Sequence, residues 1–282
     1  HKAIRRQRQM CIRDRYNSHS MKNYKKLLGC CLISTTFCFN VYSQQVEGFV
    51  HQQSEEAGYV WPDDRLVLDK LEKWQDQKFG VLFHWGLYSV PGIVESWSIC
   101  SEDVDWISRK NGMPYDEYKK WYFGLKDQLN PVHFNPEQWA DVMQDAGIKY
   151  MIFTTKHHDG FCTFDSKYTD FSIAHGAFKN NPRKNVAYHV FDAFRKKGFM
   201  IGCYFSKPDW HCEWFWNPYF ATPQRGINYK KERHPDWWQN YQTYTENQLD
   251  ELMSEYGSFD ILWLDGGWIT GEDIHLDRIC LL

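Results

Sequence analysis

Four short runs of apolar, β-branched or aromatic residues, at 79–85, 150–155, 200–205 and 259–264, constrain how this chain can fold more than any other feature. Each run is continuous rather than alternating, the pattern of a strand covered on both faces in a parallel sheet. The intervals between them carry helix punctuation. Asn135-Pro136 caps and starts one helix, whose stripe of Trp139, Val142 and Met143 ends at Gly147. Asn185 opens a second, through Val186, Val190, Phe191 and Phe194 to Gly198, with Arg195, Lys196 and Lys197 in the last turn, where the helix dipole favours cations. A third runs from Pro235 to Tyr256 and stops at Gly257. This alternation predicts a parallel α/β sheet with right-handed crossovers.

The residues that close the runs say what kind of sheet it is. The first ends at His84-Trp85, the second at Lys156-His157-His158-Asp159, the third at Tyr204 and Ser206, the fourth at Asp265-Gly266-Gly267-Trp268. A dinucleotide fold would place a glycine-rich turn after its first strand, and Phe83-His84-Trp85-Gly86 is not one. Polar groups at the carboxyl ends of successive strands are instead how a (β/α)8 TIM-like barrel assembles its active site. Residues 60–282 supply about the first four of eight βα units. The expected architecture is therefore the N-terminal half of a catalytic barrel over residues 44–282, truncated at its C-terminus.

The leader reads differently from the body. Residues 1–43 hold nine Lys and Arg against one acid, Asp14, whereas the remainder has 24 basic and 35 acidic residues, a net charge of −11. That balance excludes a phosphate-backbone partner for the body, so no nucleic acid is expected. Lys22, Lys25 and Lys26 precede an apolar run and then Val41-Tyr42-Ser43, the pattern of a secretory signal peptide over 21–43. The run is interrupted by Ser34, Thr35, Thr36 and Asn40 and falls short of the ~20 residues a stable membrane span needs. The chain is expected to be secreted or periplasmic, with residues 1–20 a non-native leader. Of nine cysteines only Cys100, Cys162, Cys203 and Cys212 lie in the body away from its end, without CxxC spacing, which reads as buried free thiols at Cys162 and Cys203, with a disulfide at Cys203 or Cys212 the alternative.

Several residues could carry chemistry. Asp265 stands at the mouth of a strand between Trp263 and Trp268, where a glycosidase would place its nucleophile; a helix-capping Asp is the plainer alternative. His157 and His158 with Asp159 invite a metal, but neighbours on an extended strand point to opposite faces, so hydrogen bonding to sugar hydroxyls or core packing is expected and no metal or other cofactor is assigned. His84 alone is a weak signal. Glu95 and Trp97 offer a carboxylate and a stacking face in a loop. The aromatic cluster Trp210, His211, Trp214, Phe215, Trp216, Tyr219 and Phe220 either walls the pocket or packs as a lid.

In order, Phe83-His84-Trp85-Gly86 with Tyr88-Ser89-Val90-Pro91, Lys156-His157-His158-Asp159-Gly160-Phe161, Gly202-Cys203-Tyr204-Phe205-Ser206 and Trp263-Leu264-Asp265-Gly266-Gly267-Trp268 resemble the α-L-fucosidases of glycoside hydrolase family 29 over about residues 59–278. The resemblance implies a retaining exo-hydrolase of terminal α-L-fucose acting on fucosylated oligosaccharides or glycoconjugates. It places Asp265 as nucleophile and His84, His157, His158, Tyr204, Glu95, Trp97 and Trp268 around the sugar. The family usually reads Glu-Trp where this chain has Glu95-Ser96-Trp97. Its acid/base lies beyond the nucleophile strand, and Glu272, Asp273 and Asp277 are assigned no such role. A sugar-binding barrel without catalysis and a metal-dependent hydrolase are the alternatives. Asp265 speaks against the first, and the absence of an HxH pair in the first strand against the second.

Overall fold

The computed structural model describes residues 62–100, 109 and 112–279. The expected leader, the signal peptide and the last three residues lie outside them. The fold begins with helix α1 (Arg65–Gln77), where the Asp64 carboxylate accepts from the N–H groups of Leu66 and Val67. Strand β1 (Gly80–Phe83) follows, then α2 (Tyr115–Phe123), α3 (Pro136–Asp145), β2 (Tyr150–Lys156), α4 (Val186–Lys196), β3 (Met200–Ser206), α5 (Pro235–Glu255), β4 (Ile261–Asp265) and the short α6 (Leu276–Ile279). The four strands form one parallel sheet in the order β1-β2-β3-β4.

All four apolar runs are strands, and the three helices read from punctuation are α3, α4 and α5. Asn135 and Asn185 cap as expected, accepting from Gln138 N and Tyr188 N. The amphipathic helices α1 and α2 went unread, because α1 has no buried residue and α2 buries only Tyr118 and Tyr122. Strands β2 and β3 are almost wholly buried, while β4 is half-buried. The helix-side core is aromatic, with Phe153, Phe191, Phe194, Phe199 and Phe205 packed together. Cys162 and Cys203 are buried free thiols, Cys212 is half-buried and free, and Cys100 is buried. Among the described residues no helix is long and apolar enough to cross a membrane.

One irregularity positions the site. The β2–β3 register shifts between Thr154 and Lys156, a bulge at the carboxyl end of β2. Such a bulge twists the strand and re-aims the side chains that follow it.

Candidate active site

The bulge brings together groups that strict strand alternation would separate. Both His157 and His158 turn toward the same pocket, with ring centroids 4.3 Å apart. This corrects the expectation that the pair would face opposite ways, since the strand has ended before either residue. Lys156 faces away, fully buried, with its Nζ 3.2 Å from Asp209 Oδ2 and 2.9 Å from Gln248 Oε1. Asp159 is also buried and accepts from the Tyr122 hydroxyl at 2.7 Å and the Phe161 amide at 3.1 Å. The Lys-His-His-Asp-Gly-Phe string thus divides its labour: two imidazoles for the pocket, the rest for the scaffold.

Asp265 closes β4. Its Oδ2 accepts from the Tyr204 hydroxyl at 2.5 Å and its Oδ1 from the Gly266 amide at 2.7 Å, and His158 Nε2 lies 3.8 Å from Oδ2. Burial opposes its charge, but the Tyr204 hydroxyl, the Gly266 N–H and His157 outweigh burial and hold the carboxyl below its ordinary range. Burial holds the Tyr204 phenol well above its ordinary range, so it stays a donor. Asp265 is therefore an ionised carboxylate, partly open to solvent at 38% side-chain exposure, at the mouth of the sheet.

Glu95 and Trp97 enter from the loop after β1. Glu95 sits at φ 46° just before a 3-10 turn over Ser96–Ile99. A non-glycine residue there costs about 1–3 kcal/mol and persists where the surroundings fix it. The turn projects three consecutive side chains into the pocket: Glu95 Oε2 lies 3.4 Å from His157 Nε2, Ser96 Oγ lies 2.5 Å from His157 Nδ1, and Trp97 packs edge-on against His158 at 4.9 Å. The inserted serine is thus a partner of His157, a role its hydroxyl alone could not announce in the sequence.

The three histidines differ in charge. Burial lowers His84 to about 4, helped by His157 and opposed by Glu95 and Asp265. Burial also drives His158 well below the usual imidazole range. At His157 burial is overcome by contact with Glu95 and by Asp159 and Asp265, so it holds its proton above the usual range. Glu95 in turn is pulled down to about 2, its burial outweighed by its contact with His157. The signs fix a window. The raised His157 pKa stabilises the fold fully below about 6.5, a contribution lost as pH rises through the folded value; the depressed Glu95 pKa stabilises it above about 4.5, a contribution lost as pH falls toward 2. In Glu95→Gln, His157 is expected to titrate at lower pH than in the parent, as followed by its ring resonances in NMR. An unchanged midpoint would remove Glu95 as its partner.

Aromatic residues wall this arrangement. Trp97, Trp210 and Trp268 surround His158 at 4.9, 5.1 and 5.2 Å, and the Arg225 guanidinium lies over Trp97 and Trp268 at 5.0 and 5.3 Å. The Trp210 and Trp268 indole N–H groups both donate to the Arg225 carbonyl. Arg225 lay in no motif and no signal marked it. Both readings of the aromatic loop hold in part: Trp210 reaches the pocket, Phe215 and Trp216 are buried packing, and Tyr219 and Phe220 stand exposed on a neighbouring cleft of about 640 Å³. Trp263 is different. Two residues before Asp265, it shares that residue's face but lies about 7 Å further back along the strand, 45% exposed and outside the ring contacts that join the other three tryptophans to His158. It does not join the tryptophans around His158, whereas Trp268 does.

Two triads bring candidate metal ligands together, His84-Glu95-His157 and His157-His158-Asp265. They share His157, so the one imidazole would have to serve whichever set held an ion.

Residues 46–279 match the α-L-fucosidase family model. The chain is 31% identical over 219 residues to tissue α-L-fucosidase of Homo sapiens, covering 74% of this chain and 41% of that protein. It is 29% identical over 218 residues to α-L-fucosidase of Branchiostoma floridae, covering 73% and 43%. Among solved structures, α-L-fucosidase isoenzyme 1 from Paenibacillus thiaminolyticus superimposes with a TM-score of 0.57 at 31% identity, covering 74% of this chain and 46% of that one. A family 29 α-L-fucosidase from Bacteroides thetaiotaomicron gives 0.55 at 28% identity, covering 75% and 46%. The chain spans about two-fifths of the length of the curated relatives it matches. With a family match that runs through the strands, the histidines and the strand-end aspartate, the chain belongs to the α-L-fucosidases of glycoside hydrolase family 29.

Proposed function

We propose that the full-length protein is a secreted or periplasmic, exo-acting, retaining α-L-fucosidase that removes terminal α-L-fucose from glycans, with Asp265 as nucleophile. The observation that carries this reading is the ionised Asp265 carboxylate at the mouth of β4, held by Tyr204 and Gly266 and facing imidazoles and tryptophans. The imidazoles suit vicinal hydroxyls, and the indoles suit the apolar face of a sugar ring. In double displacement, Asp265 attacks the anomeric carbon as the glycosidic bond breaks and the leaving oxygen takes a proton. Water, deprotonated by the same acid/base, then releases the sugar. The Bacteroides relative, described as a trapped covalent intermediate with 2-fluoro-fucosyl fluoride, supports this course.

The proton donor is not assigned among the described residues. Glu95 is ionised and paired with His157. Asp273 is tied to Lys231 and Thr270, which hold its carboxyl below the usual range against the effect of burial. Glu272 lies in the following 3-10 turn and Asp277 in α6. We place the acid, with the remaining βα units of an eight-stranded barrel, beyond residue 282 in the longer protein.

The test is release of 4-nitrophenol from its α-L-fucoside by the full-length protein, with NMR showing that the first sugar product keeps its α configuration. EDTA should leave the rate unchanged. Loss with EDTA and recovery with zinc would favour a metal-dependent hydrolase instead. His158→Ala should weaken fucose binding by about 1–3 kcal/mol, measured by calorimetry, through a sugar hydroxyl left without its partner.

A further inference from the structure

What a histidine offers a ligand depends on which ring nitrogen carries its proton, and here two hydroxyls decide it. A hydroxyl has one proton to give. The Thr154 hydroxyl donates to the Phe83 carbonyl at 2.7 Å, a group that can only accept, so toward His84 Nδ1, 3.0 Å away, Thr154 has only lone pairs. His84 Nδ1 must then be the donor. The same relay recurs on the next strand: the Ser206 hydroxyl donates to the Pro208 carbonyl at 2.6 Å and faces His158 Nδ1 at 2.7 Å. Both hydroxyls are buried, so water does not compete for them.

We propose that Thr154 and Ser206 are positioning residues that fix His84 and His158 as Nδ1–H tautomers, so that both rings meet a ligand with an Nε2 lone pair. Burial keeps the two rings neutral. Each Nε2 then stands beside a carboxylate oxygen, His84 at 4.0 Å from Glu95 and His158 at 3.8 Å from Asp265, and each such pair of acceptors calls for a donor between them. His157 differs: its Nδ1 meets the Ser96 hydroxyl, while its Nε2 has no hydrogen-bond partner and faces Glu95 Oε2 at 3.4 Å as an ion pair. The pocket is thus rich in acceptors and selects a ligand that presents several hydroxyl protons. A site built this way rejects an analogue that lacks those protons, since its buried acceptors would be left unpaired. That the ligand is fucose rests on the fucosidase reading; the tautomers do not.

The experiment is nitrogen-15 NMR of the full-length protein labelled at histidine, with steady-state kinetics on the aryl fucoside alongside. In the parent, His84 and His158 should each show a pyrrole-type Nδ1 and a pyridine-type Nε2. Thr154→Val keeps the shape and removes the relay; His84 should shift toward the other tautomer and KM should rise about tenfold, more than kcat falls. Thr154→Ser should restore both readings, which a purely packing role would not require. Ser206→Ala should do to His158 what Thr154→Val does to His84. A protonated Nε2 on either ring of the parent overturns the proposal, and the parent spectrum decides even if a variant fails to fold. So does a Thr154→Val variant that changes neither tautomer nor KM. Correct tautomers in a protein that does not cleave the fucoside would leave the proposal standing and defeat the fucosidase reading.

Discussion

Replacing Asp265 by Asn in the full-length protein is expected to lower kcat on an aryl α-L-fucoside by about 10³-fold or more while fucose binding stays measurable. The substitution keeps the shape and one accepting oxygen, enough for the Gly266 amide while the new NH2 group turns to the Tyr204 hydroxyl oxygen, and it removes the charge proposed to attack. On the proposed reading, binding rests largely on other groups, His84, His157, His158 and the indoles of Trp97 and Trp268, which the change does not touch. The effect should therefore fall on kcat rather than on affinity. A 2-fluoro fucosyl fluoride should label the parent at Asp265, read by peptide mapping, and leave Asp265→Asn unlabelled. Label on a different carboxylate would move the nucleophile elsewhere.

The sheet, its order and the strand-end carboxylate were legible in the sequence because each leaves a local trace: a continuous apolar run, an Asn-capped helix, a charged residue where a run stops. The histidine pair was legible in identity but not in geometry. Alternation along a strand is a sound rule while the strand lasts, and the register shift between Thr154 and Lys156 marks its end. The place of Trp263 follows the converse rule. It lies inside the strand, so period two put it on the face of Asp265 but a full repeat behind it. Ser96, Thr154, Ser206 and Arg225 act through partners brought close by the fold, up to 71 residues away in the case of Thr154 and Phe83, and no spacing in the chain encodes such a meeting.

The same distinction between local and distant causes predicts the behaviour of two glycines. Gly147 and Gly160 both lie in the left-handed region, at φ 79° and 78°. Around Gly147, past the end of α3, an added Cβ meets nothing within 4 Å, so Gly147→Ala should cost only the backbone strain, about 1–2 kcal/mol. At Gly160 the added Cβ would stand 2.1 Å from Asp209 Oδ1. That carboxylate cannot step aside, because it accepts from Lys156, Tyr244 and the amides of His211 and Cys212. Moving it would strand the buried Lys156 ammonium, and breaking such a pair costs about 3–5 kcal/mol. Gly160→Ala should therefore lower the denaturation midpoint of the full-length protein far more than Gly147→Ala. It should also raise KM, since Asp209 adjoins Trp210, whose amide donates to the His158 carbonyl at 2.7 Å and whose ring lies against that imidazole. Equal losses for the two variants would mean that Asp209 relaxes freely and that the Lys156 pair does not brace the histidines.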